Sequence, residues 1–368
     1  MIKVLHICSE FNSSNLYDNY FEELNNYVEN DVIVPVSYKT KYEKNENIIF
    51  LPCFNPFDRI SFYYKSGKIL KAVMNQTEVT EYDIIQAHTL FTNGNVAYNL
   101  HIKYGLPYIV TIRNTDINIF LKYKPYLKNQ AIKILKKSQA IIFLSESYRK
   151  KIINVLNDKE LSEVILNKSS IIPNGIDSFY IDNINLLRKN NVITNKVNLI
   201  TVGKIEKNKN QLSVCKSIEK IRSFIDIEYV LVGPITDKVY FDKVNSYSFV
   251  KHLGVLDKQG VIDALRESHI FVMPSRTETF GLSYVESISQ NVPVIYSKNE
   301  GFDGQFEEGV VGFSTDPNST EEIAFSLKQL LSNYSKFSNI GILAERFSWK
   351  EIVKEYYTIM SIITKEDE

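Results

Sequence analysis

Residues 274–286 read Pro-Ser-Arg-Thr-Glu-Thr-Phe-Gly-Leu-Ser-Tyr-Val-Glu, and this stretch decides how the rest of the chain is interpreted. It follows an apolar run at 269–273, so we predict a strand, a loop and then a helix that starts near Gly281 and Leu282. The first backbone N–H groups of a helix have no intrahelical acceptor and lie at the positive end of the helix dipole. The predicted helix start is therefore a candidate site for a phosphate group.

Two carboxylates, Glu278 and Glu286, flank this candidate site with seven residues between them. Both would repel a phosphate if they faced its oxygens directly. Each can instead accept hydrogen bonds from hydroxyls, one set on a sugar and one on a ribose, while the N–H groups hold a diphosphate between them. This arrangement favours a nucleotide-sugar as the ligand, and two solvated glutamates beside a helix start are the alternative.

The Glu-x7-Glu spacing with Phe280 and Gly281 inside it resembles the signature of the retaining GT-B glycosyltransferases of family 4. The resemblance implies an α/β fold of two Rossmann-like doubly wound domains that face each other across a cleft. It also implies a metal-independent hexosyltransferase reaction that moves a sugar from a nucleoside diphosphate to an acceptor with retention of configuration. Glu278 would then orient the donor sugar and stabilise positive charge at its ring, and Glu286 would hold the ribose diol. The remaining donor contacts in this stretch fall on Thr279, Phe280, Gly281 and Leu282.

The order of the apolar segments also indicates two doubly wound domains. Short apolar runs alternate with helix-length polar stretches, which is typical of parallel strands in βαβ units. The predicted strands are residues 2–8, 32–36, 84–87, 108–112, 140–144 and 171–172, followed by 197–202, 229–232, 249–250, 270–273 and 293–296. We therefore predict an N-terminal acceptor-side domain (1–181), a linker (182–196), a C-terminal nucleotide-sugar-binding domain (197–346) and a closing helix (347–368) that crosses back to the N-terminal domain.

Composition limits the classes of protein that the chain can represent. Its 368 residues carry 43 basic and 43 acidic side chains, which argues against nucleic-acid binding as the main activity. The three cysteines are widely spaced, and the start of the chain is not a signal peptide, so we predict a cytoplasmic protein without disulfides or zinc. No Asp-x-Asp motif suggests a metal-bound diphosphate, and we expect no cofactor besides a nucleotide-sugar co-substrate, with a UDP-sugar as the first choice.

Lysines follow the first predicted strand of the second domain. Gly203, Lys204 and Lys209 match the family's Gly-Arg-Leu and the lysine five residues beyond its arginine. Both cations would neutralise charge on the departing diphosphate, and lysine at 204 keeps that charge without the bidentate geometry of arginine. A solvated lysine-rich turn is the alternative. Further on, Leu256 is the candidate for a main-chain contact with the nucleotide base, and a simple turn at Gly254 is the other interpretation.

The N-terminal domain departs from the family pattern. Arg113 stands where relatives often have a histidine that contacts the donor sugar, so it either lines the donor pocket as a further catalytic candidate or forms an ion pair with Asp116. His88 is a weak candidate for the acceptor site, against a buried and hydrogen-bonded structural histidine. Residues 9–17 lack the Gly-Gly loop of many relatives, so the resemblance assigns no acceptor residue there.

Nine basic residues and one acid lie in the stretch 122–151, with apolar and aromatic residues interleaved. This is either an amphipathic surface that contacts anionic lipid at the inner face of the membrane or an ordinary solvated face. A glycan or lipid-linked saccharide acceptor, used in bacterial surface polysaccharide synthesis, fits the first interpretation. A nucleotide-sugar epimerase of GT-B architecture and a non-catalytic GT-B partner subunit are the alternative functions.

Overall fold

Two parallel sheets organise the chain, one in each of two units. A computed structural model describes residues 1–11, 16–42, 48–186 and 196–366. Unit 1 comprises Met1–Leu144, Tyr148–Pro173 and Trp349–Glu368, and unit 2 comprises Ser145–Ser147 and Asn174–Ser348. Of the predicted linker, residues 187–195 lie outside the described residues, as do residues 12–15 of the loop that lacks the Gly-Gly pair.

Unit 1 contains a seven-stranded parallel sheet in the order β3-β2-β1-β4-β5-β6-β7. The strands are β1 (Lys3–Ile7), β2 (Glu29–Ser37), β3 (Ile48–Phe54), β4 (Ile84–Ala87), β5 (Tyr108–Ile112), β6 (Ala140–Phe143) and β7 (Ser169–Ile171). The helices are α1 (Leu16–Leu24), α2 (Phe62–Gln76), α3 (Thr92–Tyr104), α4 (Lys128–Lys137), α5 (Glu146–Leu156), α6 (Lys159–Lys168) and the C-terminal α13 (Trp349–Glu366). Short helical turns at Pro56–Ile60, Val79–Glu81, Asp116–Leu121 and Pro125–Leu127 complete the unit.

The sheet of unit 1 is covered on both faces, which explains its near-continuous apolar strands. Side chains of β1 and of the residue that follows it alternate between two cores: Leu5 and Ile7 belong to one, and Val4 and Cys8 to the other. Helices α2 to α6 supply the first core, while α1 and α13 supply the second. Helix α13 therefore packs within unit 1, although it is the last element of the chain.

Unit 2 contains a six-stranded parallel sheet in the order β10-β9-β8-β11-β12-β13. Its strands are β8 (Lys196–Val202), β9 (Asp226–Val232), β10 (Val250–His252), β11 (Ile270–Val272), β12 (Val294–Ser297) and β13 (Gly312–Thr315). Its helices are α7 (Ser178–Asp182), α8 (Gln211–Glu219), α9 (Lys238–Asn245), α10 (Lys258–Arg266), α11 (Leu282–Ser289) and α12 (Thr320–Ser332), with short turns at Tyr334–Phe337 and Gly341–Phe347. The strand order reverses at β8, and ligands of doubly wound sheets bind where such a reversal occurs, at the carboxyl ends of the strands.

The two doubly wound sheets confirm the predicted fold class, but two strands were missed. Strand β3 contains Pro52, which has no N–H to donate, and it lies at the edge of its sheet, where a proline is tolerated. Strand β13 is short and begins with Gly312, so it carries little of the apolar pattern that identified the other strands. Edge strands expose one side and therefore have weaker sequence signals than central ones.

Within the described residues, no helix combines the length and apolarity needed to cross a bilayer.

Candidate functional site

The loop between β11 and α11 carries Glu278, and the start of α11 matches the predicted helix start. Gly281 precedes the helix with φ 82°, a conformation that L side chains rarely adopt, and a Cβ there would lie 2.4 Å from the Tyr284 ring. The hydroxyl of Tyr284 donates a hydrogen bond to the carbonyl oxygen of Met273 and so fixes the helix to the end of the strand. Leu282 is the first residue of α11, so its N–H has no intrahelical acceptor by position.

Glu278 and Lys209 form an ion pair at the carboxyl ends of neighbouring strands. Nζ of Lys209 lies 2.6 Å from Oε2 of Glu278, and the two side chains are 19% and 12% exposed. Ser275 Oγ lies 3.4 Å from the same carboxylate oxygen. A Cβ on Gly203, which follows β8, would lie 3.8 Å from Cε of Lys209. The structure thus brings together Gly203, Lys209, Glu278 and Gly281 at the reversal of strand order.

Two asparagines beside Lys209 hold this loop by hydrogen bonds, a role that the sequence alone did not predict. The Asn208 side chain donates to the carbonyl of Thr277 at 3.0 Å and accepts from the N–H of Thr277 at 3.1 Å and from its hydroxyl at 2.9 Å. Asn210 has φ 63° and donates to the carbonyl of Pro274 at 3.0 Å. Asparagine alternates with lysine in this turn, and this pattern could have indicated left-handed backbone, because asparagine adopts that conformation more readily than most non-glycine residues.

The backbone of Glu278 is held from the other side by residues 300 and 301. Its N–H donates to Oε2 of Glu300 at 2.8 Å, and its carbonyl accepts from the N–H of Gly301 at 2.8 Å. A Cβ on Gly301 would lie 1.8 Å from the carbonyl oxygen of Thr279, so only glycine fits there. Phe280 is 1% exposed, and its ring packs among buried aromatic rings, so the structure gives it an anchoring position in this loop.

The turns after β8, β9 and β10 meet at the same edge of the sheet. Gly233 has φ 136°, its N–H donates to the carbonyl of Gly254 at 2.7 Å, and a Cβ there would lie 2.2 Å from the carbonyl oxygen of Gly203. Leu256 is half-buried in the segment between β10 and α10, just beyond these turns. Lys204 also lies here, with an exposed side chain and a carbonyl that accepts from Gln211 Nε2 at 2.9 Å.

Glu286 has a different environment from Glu278. It lies on α11 and is half-buried, and burial raises the pKa of its carboxyl to about 7, with repulsion from Asp177 adding to the effect and attraction by Lys258 opposing it. Nζ of Lys258 lies 2.5 Å from Oδ2 of Asp177. Glu286 is therefore close to the Asp177–Lys258 ion pair, two residues that the sequence alone did not place at the site.

Arg113 follows β5 in unit 1. The backbone N–H of Arg113 donates to Oδ2 of Asp116 at 2.8 Å, and its carbonyl accepts from the N–H of Asp116 at 3.1 Å. The Asp116 carboxylate also accepts hydrogen bonds from the backbone N–H groups of Leu90 and Phe91. The guanidinium carbon of Arg113 lies 5.7 Å from the centre of the Tyr17 ring, within the range of a cation–π interaction.

His88 follows β4 and is 1% exposed. Its Nε2 lies 3.1 Å from Nδ1 of His6, whose Nε2 lies 2.7 Å from Oδ1 of Asn30. Burial, together with repulsion from His6 and Arg113, holds the pKa of His88 far below its ordinary value, and burial lowers the pKa of His6 to about 3. The structure therefore gives His88 the buried, hydrogen-bonded environment of a neutral structural histidine.

Across the described ranges, no three His, Cys, Asp or Glu side chains gather into a metal-binding group, and the three cysteines are buried free thiols.

Comparison with known proteins identifies glycosyltransferase families in both halves of the chain. The family model for glycosyl transferases group 1 matches residues 182–347, and that for glycosyltransferase family 4 matches residues 23–178. The alpha-monoglucosyldiacylglycerol synthase of Acholeplasma laidlawii is 23% identical over 352 residues, which cover 89% of this chain and 85% of that protein. The capsular polysaccharide biosynthesis glycosyltransferase CapM of Staphylococcus aureus is 26% identical over 240 residues, covering 62% and 63% of the two chains.

A solved structure supports the fold independently of sequence. Anabaena HepE, crystallised in complex with UDP and glucose, superposes with a TM-score of 0.67 at 18% identity, covering 98% of this chain and 100% of that one. Two family models match the two halves of the chain, and both sheets are parallel and doubly wound. The protein therefore belongs to the group 1 glycosyltransferases with the GT-B fold.

Proposed function

We propose that the protein transfers a hexosyl group from a nucleoside-diphosphate sugar, a UDP-sugar in the first instance, to a glycan or lipid-linked saccharide with retention of configuration. The observation that carries this proposal is the Glu278–Lys209 ion pair of 2.6 Å beside the start of α11. The carboxylate can accept hydrogen bonds from the sugar hydroxyls of such a donor, and the cation and the unpaired helix N–H groups can hold its diphosphate oxygens.

In the proposed reaction the bond between the anomeric carbon and the diphosphate oxygen breaks. The acceptor oxygen bonds to the anomeric carbon on the same face, and its proton passes to the departing phosphate. Lys209 and Lys204 compensate the negative charge that builds on the diphosphate, the role that a divalent metal plays in other enzymes. Glu278, beside Lys209, orients the sugar and stabilises the positive charge that develops at its ring.

The nucleoside end of the donor is proposed to lie at Glu286. A carboxylate that accepts hydrogen bonds from two ribose hydroxyls gains partners that compensate for its burial. The turns at Gly233 and Gly254 and the segment that contains Leu256 lie at the carboxyl ends of neighbouring strands, where main-chain contacts with a base would require no particular side chain.

The proposed setting is surface polysaccharide or glycolipid synthesis at the inner face of a bacterial membrane. One relative is named for capsular polysaccharide biosynthesis and another for synthesis of a glucosylated diacylglycerol. An acceptor of either kind is membrane-bound during assembly, which makes peripheral contact with anionic lipid a useful property of the enzyme.

A thermal-shift panel of UDP-, GDP- and ADP-sugars tests the donor assignment. A ligand at about 100 times its Kd stabilises the folded state by about 2.7 kcal/mol. About 1 kcal/mol shifts the Tm of a unit of this size by about 2–4 °C, so we expect a rise of about 5–11 °C with the correct nucleotide and less than about 1 °C with the others. Absence of any shift across the panel would contradict the proposal. Release of free nucleotide only after acceptor is added would distinguish transfer from epimerisation.

Arg113 is proposed to line the donor pocket in place of the family's histidine. We expect Arg113→His to lower turnover by about tenfold and to change the ratio of activities with two different donor sugars, because a fixed cation is exchanged for a neutral ring. Arg222→His is a matched control, since the guanidinium of Arg222 also lies over a ring, that of Phe249, at 5.1 Å. Unchanged turnover and donor preference in Arg113→His would leave this residue with a purely structural role.

A further inference from the structure

Two short segments of unit 1 expose large apolar side chains to an unusual degree. They are residues 57–64, around the start of α2, and residues 119–126, which precede α4. The exposed members are Phe57 (79%), Ile60 (81%), Tyr63 (53%), Tyr64 (57%), Ile119 (52%), Tyr123 (69%) and Tyr126 (58%). We refer to these seven side chains as the aromatic face. Exposed apolar surface costs free energy in water, so a concentration of it indicates a contact surface.

The two segments are neighbours in the fold although they are separated by more than fifty residues of sequence. Nζ of Lys124 donates to the carbonyl oxygen of Arg59 at 3.4 Å and lies 5.5 Å from the Phe120 ring centre. The rings of Phe62 and Phe120 have centroids 6.1 Å apart. These contacts join the segments into one continuous surface.

Buried aromatic residues hold this surface in place. Phe62 is 6% exposed, and Phe91, which is fully buried, stacks on Phe120 with centroids 4.9 Å apart. Phe62 in the first segment and Leu121 in the second belong to the core of unit 1, and Phe120 packs against that core. The outward rings between them are part of a packed structure, since their neighbours in sequence anchor the backbone.

The aromatic face also carries a concentrated positive charge. The segments and the residues directly after them contain six cations (Arg59, Lys65, Lys68, Lys122, Lys124 and Lys128), whereas the whole chain has zero net charge. The acid in these segments is Asp58, and its Oδ2 lies 2.7 Å from Nζ of Lys68. Burial lowers the pKa of Lys65 to about 8, and repulsion from Arg59 and Lys124 adds to this effect. An anionic surface placed against this face would relieve that repulsion.

The other basic residues of the stretch 122–151 do not extend the same surface. The buried strand β6 interrupts the stretch. Nζ of Lys136 lies 2.6 Å from Glu160 and 3.8 Å from Asp158, so its charge is compensated within the protein. Of the stretch 122–151, the proposed surface therefore includes residues 122–126, together with Ile119 and the neighbouring segment 57–64.

We propose that the aromatic face is a docking surface for an anionic lipid bilayer. Phe57, Ile60 and Tyr123 would enter the interfacial region, where amphipathic tyrosine rings are favoured, and Lys122 and Lys124 would contact the headgroups. The inference deepens the membrane contact in the proposed function and rests on it. Charge complementarity favours an anionic lipid surface over a protein partner, because cations are interleaved with the exposed rings in both segments.

Flotation with liposomes tests the proposal directly. The full-length protein is mixed with vesicles of phosphatidylcholine alone or with about 30% phosphatidylglycerol, and the bound fraction is measured. We expect binding to the anionic vesicles at least about tenfold stronger than to the neutral ones, and weakened at 1 M NaCl, where the Debye length falls from about 10 Å to about 3 Å. The triple variant Phe57→Ser, Ile60→Ser, Tyr123→Ser is expected to lose about tenfold or more of the binding.

A matched control exists in unit 2. Phe224 (80%), Val239 (69%) and Phe325 (66%) have exposures close to those of the three altered side chains, so Phe224→Ser, Val239→Ser, Phe325→Ser removes the same kind of surface elsewhere. This control is expected to bind vesicles within about twofold of the intact protein. Equal loss in both triple variants, or equal binding to neutral and anionic vesicles, overturns the proposal, as does absence of flotation by the intact protein.

Donor-induced stabilisation of the same variants separates the two proposals. If the aromatic-face variant keeps the Tm shift with its nucleotide-sugar but loses vesicle binding, the docking surface is supported on a folded, donor-binding protein. If the intact protein floats with anionic vesicles and no nucleotide-sugar stabilises it, the donor proposal fails and the docking surface stands. Vesicle-independent capture of a protein or an RNA by the aromatic face would contradict the lipid assignment.

Discussion

Glu278→Gln is expected to lower kcat by about 100- to 1,000-fold while the Kd for the nucleotide-sugar changes by less than about threefold. Glutamine keeps the shape of the side chain and can still meet sugar hydroxyls. It lacks the negative charge that would stabilise positive charge at the sugar ring, and it cannot form the 2.6 Å ion pair with Lys209. The interaction lost is therefore one made mainly in the transition state, and such a loss lowers kcat more than binding.

Steady-state kinetics with a saturating donor and a calorimetric Kd are the measurements. Glu321→Gln is the matched control, because it removes a glutamate that forms an exposed ion pair with Lys220 in the same unit. Exposed surface pairs of that kind contribute little because solvent screens them, so this control should keep kcat within about twofold. Equal decreases in affinity and turnover for Glu278→Gln would instead assign Glu278 to ground-state binding.

Glu286→Ala is expected to weaken nucleotide binding by about 10- to 100-fold and to change kcat at saturating donor by less than about fivefold. Hydrogen bonds to a charged group contribute about 1.5–3 kcal/mol each, and the ribose lies away from the bond that breaks. Calorimetric titration with the free nucleoside diphosphate measures the effect without the sugar. A nucleotide lacking one ribose hydroxyl should lose affinity for the unaltered protein but not for the variant.

The same residue is expected to make nucleotide binding depend on pH. The pKa of Glu286 is raised from 4.5 to about 7 by burial and by Asp177, so the carboxyl is only partly ionised near neutrality. Hydroxyl donors bind the ionised form best, hence affinity should rise between about pH 6 and pH 8 and then level off. Glu286→Gln should show no such rise in this window. A pH profile unchanged by the substitution would remove Glu286 from the ribose site.

Ionisation of Glu286 is expected to lower the stability of the folded protein as pH rises, whereas it raises nucleotide affinity. A carboxyl whose pKa is raised in the folded state contributes stability that is fully present below its unfolded pKa of 4.5 and is lost as pH rises through about 7. The shift corresponds to about 3 kcal/mol at most, and partial exposure reduces this. The free energy of unfolding of Glu286→Gln should therefore exceed that of the unaltered protein by more at pH 8 than at pH 5.

Much of the fold could be predicted because its signals are local. Apolar runs such as that of β1 identify strands buried on both faces, and the loop with Gly281 before Leu282 predicts the start of α11. The edge strand β3 was missed because proline at position 52 and one exposed side weaken the pattern. The positions of Glu278 and Lys209 could be named in advance from their resemblance to a family pattern.

Other features depended on contacts between distant segments. Glu300 and Asn208 hold the loop around Glu278, yet they lie 22 and 70 positions away in sequence, and no spacing links them to Glu278. Asp177 and Lys258 set the environment of Glu286 from two separate elements. Sequence spacing cannot reveal such neighbours, because it reports which residues share one strand or helix and not which loops meet at the end of a sheet.

By itself, the sequence determined two doubly wound parallel sheets, the helix start at Leu282 and the chemical types at the candidate donor site. Periodicity and turn residues report local backbone geometry, so these features follow from short stretches. Only the tertiary structure decided that Lys209 pairs with Glu278, that the two glutamates have different environments, and that residues 57–64 lie beside residues 119–126. Strand order and packing bring these groups together, and both depend on the whole chain.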